Sequence, residues 1–496
     1  MSDSAPVSHL EQAVQQLENG NPEQAAEIAG QALEYDPENA DALFLIGRCR
    51  ALLNQNEEAI NALEQASERL PDRLELFNLL GHLLYHERHH EKAIDSFRRC
   101  VELDPDHVEA HRQLANLYLG NDQPKAIRLF ERAHQLAPNH ADLLFDYAWG
   151  MMYSVGDTDQ GAELFRKWLQ LDHGTADRGS IAVQALNYPS NQNPIELAQY
   201  HFQWAEKHMN QFWREIDFGD HDFSADRPIR LGMLSGDFCR HPVGRFAMLL
   251  CHHLDLERFD LFIYSNNHET DDLKPSFEEH ALWCDVTAMT DDEAAKKIRE
   301  DRIDILLDLS GHTKGNRLGI VARKPAPIQA ALFAYPNTTG LAAVDYRVTD
   351  PFSDPAGESE SLWQEKLEYM PHTPWLYLPP LEFEATPAPP PSSTGKPFTF
   401  GCLNNPVKTS RVSVRLWAEV LRRRPDSKII LFELNPDHGQ LLKRFFTEEN
   451  IAPSQIDIRP KGSVTYFLEL HNEIDLMFDP FPYNGGVTTG DSFWMG

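Results

Sequence analysis

The sequence predicts an α/α superhelix of repeats followed by two α/β lobes, and three observations carry that prediction. Four prolines recur almost every 34 residues in the first third of the chain. The apolar pattern changes from helical to strand-like near residue 228, and a Pro/Ser-rich stretch near residue 390 divides the remaining chain in two.

The repeat comes first. Pro37, Pro71, Pro105 and Pro138 are spaced by 34, 34 and 33 residues. Twelve residues before each stands Ala25, Ala59, Ala93 or Ala126; five before each stands Ala32, Ala66, Cys100 or Ala133; ten after each stands Gly47, Gly81, Ala115 or Ala148. Small residues let the two helices of a hairpin approach closely, and the proline stops the second helix and turns the chain into the next unit. An ordinary bundle has no reason to hold four such positions in register over four units, whereas this period and pattern are those of tetratricopeptide repeats. A degenerate fifth unit is expected around Gly161 and Trp168, so the array is assigned to residues 1–174. Such arrays present a concave surface to peptides, which makes proteins or peptides the expected partners there and says nothing about chemistry.

Residues 175–226 read as connecting helices, as in NPIELAQYHFQWAEKHMNQF. Residues 227–385 then alternate strands and helices: IRLGMLSGDF and FAMLLCHHL, FDLFIYS and DDEAAKKIRED, IDILLDLSG, IQAALFAYP. Such alternation implies a parallel sheet covered on both faces. TPAPPPSSTGKP (386–397) reads as a linker. Residues 398–496 begin a second unit with FTFGCLN, VSVRLWAEVLRRRP, SKIILFEL and IDLMFDP, and this lobe is expected to be incomplete because the chain stops just after a helix begins. Two Rossmann-like lobes joined by a linker describe a GT-B arrangement, with ligand expected between the carboxyl ends of the strands.

Bulk properties narrow the function. A formal net charge of −31 disfavours a nucleic-acid or membrane-surface partner. The opening MSDSAPVSHLEQ has no basic and apolar leader, and no run of 18 apolar residues occurs, so a cytoplasmic protein with no membrane partner is expected. Cys49, Cys100, Cys239, Cys251, Cys284 and Cys402 are scattered with no CxxC pair, which fits reduced thiols better than disulfides or zinc. No metal-ligand cluster is evident, and TDD at 290–292 reads as a helix cap.

Five segments fall at the carboxyl ends of expected strands. SGDFCRHPVGRF places His241 in a loop, where a histidine serves as base or substrate orienter, or is merely solvated. DLSGHTKGNR carries His312 and Thr313, and AYPNTTG carries Pro336 and Thr338; both are small, hydrogen-bonding stretches, candidates for the side of the site away from the phosphate loops, though each also suits an ordinary turn. CLNNPVK carries Asn405 and Lys408, and a lysine there neutralises a departing diphosphate unless it is a solvated surface group. DPFPYNGGVTTGD opens a helix. Its Gly485 and Gly486 allow close backbone approach, Thr488 and Thr489 offer hydroxyls, the helix start favours an anion, and Asp491 is placed to hold ribose.

Behind such repeats and in this order, these segments resemble the O-GlcNAc transferase family, bacterial members included. The resemblance is most specific in DFCRHPVGRF, DLSGHTKG, RKPAPIQAALFAYPNTTG, VDYRVTD, EKLEYMPHT and FPYNGGVTTGDSFWMG. It implies metal-independent, inverting transfer of a sugar from a nucleotide diphosphate, UDP-GlcNAc foremost, to Ser or Thr hydroxyls of intracellular proteins, with no further cofactor. It also implies roles: His241 as the active-site histidine, Lys408 on the donor diphosphate, Asn405 as a donor-binding amide, Thr488 on phosphate and Asp491 on ribose. Asn337 stands where the family has Gly, and Val487 where it has Thr. The plant Spindly-type O-fucosyltransferases share the architecture and use a GDP-sugar, so base and sugar stay open, as does a repeat scaffold with degenerate transferase lobes.

Overall fold

The computed structural model describes residues 4–171, 174–214, 216–224, 226–267, 271–332, 334–380, 383 and 386–496. It divides into two compact units, 1–150 and 151–496.

The first unit is helical: Ser4–Glu18, Pro22–Tyr35, Ala40–Leu52, Asn56–Ser67, Leu74–His86, His90–Leu103, Val108–Tyr118, Gln123–Leu136 and Ala141–Trp149. Each repeat proline falls just after a helix ends, at Tyr35, Ser67, Leu103 and Leu136. The small positions sit where helices cross. Ala25, Ala59, Ala93, Ala126, Ala115 and Ala148 are fully buried. A Cβ added to Gly47 would lie 2.6 Å from Leu63 Cγ, and one added to Gly81 would lie 2.8 Å from the Phe97 ring. Asn39, His107 and His140 occupy equivalent turns after their prolines, and each side chain accepts a backbone N–H of the helix it opens.

A π-helical turn begins at the last residue of the first unit and runs over 150–155, and the second unit continues with the helices Thr158–Gln170, Ala176–Ala185 and Pro194–His208. The last two are more than connectors. Val183, Trp204, Ala205 and Met209 join one core with Leu234, Tyr264, Ile298 and Leu306 of the first lobe.

That lobe is a seven-stranded sheet built from β1 (Ile229–Ser235), β2 (Phe259–Ser265), β3 (Leu282–Asp285), β4 (Ile305–Asp308), β5 (Ile328–Leu332), β6 (Tyr346–Thr349) and β7 (Lys366–Tyr369). The strand order is β3-β2-β1-β4-β5-β6-β7. Every pairing is parallel, with Leu231 opposite both Leu261 and Ile305. Such strands are covered on both faces, which is why β1 buries five consecutive residues at its end. The opposite face of the sheet carries its own core of Met233, Phe246, Ile263 and Phe277.

The second lobe has β8 (Thr399–Cys402), β9 (Lys428–Glu433), β10 (Ile456–Pro460) and β11 (Leu476–Met477), parallel in the order β10-β9-β8-β11. The Pro/Ser-rich segment before it is pinned rather than loose. Pro391–Thr394 forms a 3-10 turn, and the Asp475 carboxylate accepts the backbone N–H of Ser392 and of Thr399, each at about 2.9 Å or less. The other donors of the stretch are met separately: the Ala388 amide donates to Asn472 Oδ1 at 2.8 Å, and the amides of Ser393 and Lys396 donate to the carbonyls of Pro390 and Pro391.

Candidate donor and acceptor site

Each sheet reverses its winding once, and both reversals carry the motif loops. In the first lobe the switch lies between β1 and β4, followed by the loops of His241 and of Thr313. In the second it lies between β8 and β11, followed by the loops of Lys408 and of Gly485. Backbone diverges to either side of such a point and leaves a crevice at the carboxyl ends. A cavity of about 870 Å³ opens there, lined from the first lobe by Asp237, His241 and Thr313 and from the second by Asn405, Lys408 and Gly485. A smaller one of about 340 Å³ shares His241, Asn405 and Thr488 and extends toward Arg245, Lys461 and Asp491.

His241 caps the helix Pro242–His253, its Nδ1 3.4 Å from the Val243 amide. The same nitrogen is 3.6 Å from Asp237 Oδ2. Burial in the cleft pushes the imidazole below its ordinary value and the Asp237 charge opposes that shift. Burial likewise raises the Asp237 carboxyl, opposed by His241 and Lys314. The ring therefore favours its neutral form; in the tautomer with its hydrogen on Nδ1, toward Asp237 and in place of the cap, Nε2 is left to accept a proton. Gly244 follows because the helix start presses on the loop: a Cβ there would lie 2.1 Å from the Cys239 carbonyl oxygen.

Lys408 ends a 3-10 turn, Pro406–Lys408, that Asn405 caps. Its Nζ donates to the Asn484 carbonyl at 2.7 Å and sits 4.0 Å from the centroid of the Tyr483 ring. Burial pushes the ammonium down to about 8, against the pull of Asp479. A half-buried cation with a single carbonyl acceptor is short of negative charge. Opposite it the helix Val487–Trp494 begins. The Gly485 amide donates to Asp479 Oδ1 at 2.6 Å, and a Cβ on Gly485 would meet Thr489 Oγ1 at 2.5 Å. Thr488 lines both cavities, whereas the Thr489 hydroxyl turns back toward Gly485. Asp491 is buried at the floor of the smaller cavity. Its Oδ1 accepts from Tyr377 Oη at 2.8 Å and lies 3.9 Å from Arg245, while burial raises its carboxyl. Val487 packs against the first-lobe core beside Phe246, so the methyl groups at that position serve contact between lobes.

Besides Thr489, which lines neither cavity, two expected residues lie elsewhere. His312 is 1% exposed. Its Nδ1 is 2.9 Å from Ser180 Oγ, its Nε2 3.0 Å from the Thr339 carbonyl, and its ring stands edge-on to Trp204 at 4.5 Å. It ties the connecting helices to the lobe, with both nitrogens used. Thr338 is also fully buried and donates to Glu365 Oε2 at 2.6 Å. Thr313 and Pro336 do line the larger cavity.

Sequence reasoning missed Asp237, Asn404, Tyr377 and Lys461. Asn404 adjoins the named Asn405, lines both cavities, and has a buried Oδ1 with no partner. Lys461 precedes a helix, Val464–His471, capped by Ser463, and its ammonium is depressed by burial. The signal was available in KGS before an apolar run. Nothing local marks Tyr377. Among the described residues no three His, Cys, Asp or Glu side chains are grouped to hold a metal.

Residues 187–377 match the model for glycosyl transferase family 41, and residues 16–83 and 74–107 match tetratricopeptide repeats. The chain carries a family 41 glycosyltransferase domain behind tetratricopeptide repeats. It is 30% identical over 345 residues to a rice (Oryza sativa subsp. japonica) protein named probable UDP-N-acetylglucosamine–peptide N-acetylglucosaminyltransferase SPINDLY, covering 67% of this chain and 37% of that one. It is 31% identical over 278 residues to the Arabidopsis thaliana protein similarly named SEC, covering 54% of this chain and 28% of that one. The chain thus spans between 28% and 37% of the length of these relatives. Among solved structures, a mutant of the Thermobaculum terrenum O-GlcNAc transferase superposes with a TM-score of 0.70 at 26% identity, covering 85% of this chain and 81% of that one. The helical array followed by parallel α/β lobes is therefore a fold shared with that solved structure. No described helix is long and apolar enough to cross a membrane.

Proposed function

We propose that the family 41 domain transfers a sugar, with inversion, from a nucleotide diphosphate to Ser or Thr hydroxyls of proteins held by the repeat array. One observation carries this reading: the winding reversals of both sheets open on the same cavity, with a cation-bearing loop and a helix start on one side and a histidine on the other.

In the proposed step the acceptor oxygen attacks the anomeric carbon as the bond to the diphosphate oxygen breaks. The hydroxyl proton passes to solvent or to His241, whose depressed basicity keeps it unprotonated near neutrality. Charge gathers on the leaving diphosphate. Lys408 and the free amides at the start of Val487–Trp494 meet it, supplying the neutralisation that a divalent cation provides elsewhere. Transfer is accordingly expected to persist in chelator. Asn405 is read as a donor-binding amide, and Asp491, beside Arg245, as the ribose partner. UDP-GlcNAc is the preferred donor because the relatives' names specify it. The scattered cysteines, with no CxxC pair among them, support a reducing, cytoplasmic compartment.

The test is a donor screen read by intact mass, offering UDP-GlcNAc and GDP-fucose with degenerate Ser/Thr peptides and including an EDTA arm. A gain of one N-acetylhexosamine with UDP-GlcNAc supports the full reading, and a deoxyhexose gain from the GDP-sugar reassigns the donor. No product from either, together with no calorimetric binding of UDP or GDP at millimolar concentration, would leave a repeat scaffold instead.

A further inference from the structure

Behind the acceptor side of the larger cavity lies a charged cluster that the proposed chemistry does not use. Asp308, Arg347, Asp354 and Glu365 are all at least nine-tenths buried. Burial lowers the Arg347 guanidinium, and the carboxylates of Asp354, Glu365 and Asp308 oppose it, so one cation serves three acids. Burial also raises Asp308 to about 6, offset by the amides of Gly311 and Ser310. Replacing such a cluster with apolar groups of the same volume is often neutral or stabilising. Stability alone is a weak reason to keep it.

Its hydrogen bonds run to the cavity wall. Glu365 Oε2 accepts from Thr338 Oγ1 at 2.6 Å, and Oε1 accepts the Thr339 amide at 2.8 Å and the Thr339 hydroxyl. The Thr338 oxygen in turn accepts the amides of Gly340 and Gln364 at 3.0 and 3.2 Å. The loop so held presents Pro336 and Asn337 to the cavity. On its other side the loop packs closely against the helix Pro194–His208: Gly340 has φ +75°, and a Cβ there would lie 2.4 Å from the His201 carbonyl oxygen. Trp363 is held alike: its Nε1 donates to Asp354 Oδ1 at 3.0 Å, and the Arg347 guanidinium lies 4.8 Å from its ring centroid. Trp363 also faces the cavity.

We propose that Glu365 is a positioning residue for acceptor binding, fixing the Pro336–Asn337 wall through Thr338 and Thr339 while Asp354 and Arg347 fix Trp363 beside it. The inference rests on the transferase reading. The hydrogen bonds of Glu365 run to Thr338 and Thr339 and not to the donor pocket of Lys408, Thr488 and Asp491, so its effect falls on the acceptor alone.

The experiment uses the full chain, UDP titration and a degenerate peptide mixture with one central Ser or Thr. Glu365→Ala is expected to raise the apparent peptide KM about tenfold with UDP affinity and kcat within about twofold of the parent. Glu365→Gln, which keeps one acceptor oxygen, should recover part of the loss, and Thr338→Val, which keeps volume, should raise KM severalfold. If Glu365→Ala does not fold, Thr338→Val decides. An unchanged peptide KM in Thr338→Val, or a parallel loss of UDP affinity, overturns the assignment. Absence of transfer by the parent chain overturns the transferase reading itself, and this inference with it.

Discussion

Tyr377 donates its hydroxyl to Asp491 Oδ1 at 2.8 Å, joining the strap that leaves the first lobe to the helix that opens the donor pocket of the second. The two residues are 114 positions apart. Asp491 is 5% exposed and burial holds its carboxyl above the usual range. A carboxyl raised by folding stabilises the fold below its unfolded value and loses that advantage as pH rises through the folded one. Removing a donor to the ionised form sharpens the loss. Tyr377→Phe is therefore expected to cost about 1–3 kcal/mol at neutral pH and less near pH ~4. Urea midpoints at both pH values, with UDP affinity measured in parallel, check this; an equal cost at both would mean that the hydroxyl does not sense the Asp491 charge.

Lys408 gives a prediction of opposite sign in pH. Its ammonium is lowered to about 8 by burial, so in the free protein it loses charge as pH climbs through that value. UDP affinity should weaken from pH ~7 to ~9 in the parent and weaken less over that range in Lys408→Met, where Lys461 remains. Turnover of the variant should fall about 100-fold, the usual effect of deleting one group that stabilises developing negative charge. Full turnover in Lys408→Met would remove the residue from the mechanism.

The loops around the cavity are legible in the sequence because each follows an apolar strand-like run and contains Gly, Pro or Asn. DFCRHPVG, CLNNPVK and YNGGVTTG announce themselves in this way, and the repeat prolines do so by spacing. Side-chain direction is not legible. His312 and Thr313 are neighbours in one motif, yet His312 turns into a pocket made by Ser180, Trp204 and Thr339 while Thr313 faces the cavity. Two of those partners, Ser180 and Trp204, come from helices about a hundred residues or more upstream, and no local pattern encodes them. Thr338 is drawn inward by Glu365, and Tyr377 carries no local mark because its partner lies in another lobe. The fold is periodic; these contacts are not.

The repeat array allows a matched pair of substitutions. Gly81 sits against Phe97, where a Cβ would lie 2.8 Å from the ring, and Gly30 has nothing within 4 Å of an added Cβ. Both lie inside helices. Gly81→Ala should destabilise by about 1–3 kcal/mol through overpacking. Gly30→Ala should stabilise by about 0.5–1 kcal/mol, because alanine loses less backbone entropy in a helix. Thermal melts of the two variants beside the parent decide the matter, and equal shifts would mean that the helix crossing at Gly81 is wider than described.

The last prediction separates His241 from Asp237. The Asp237 carboxylate opposes the burial that depresses the His241 imidazole, so it favours the protonated ring. Removing that charge in Asp237→Asn should make His241 harder to protonate. If neutral His241 accepts the acceptor proton, the acid limb of kcat/KM against pH moves to lower pH in Asp237→Asn, even if the maximum falls because the ring has lost the carboxylate that steadies the charge it acquires. His241→Ala should abolish the limb altogether and lower kcat/KM by about 10²–10⁴-fold, the range associated with positioned acid–base groups. A limb that stays in place in both variants would assign the titration to another group and leave His241 as the cap of its helix.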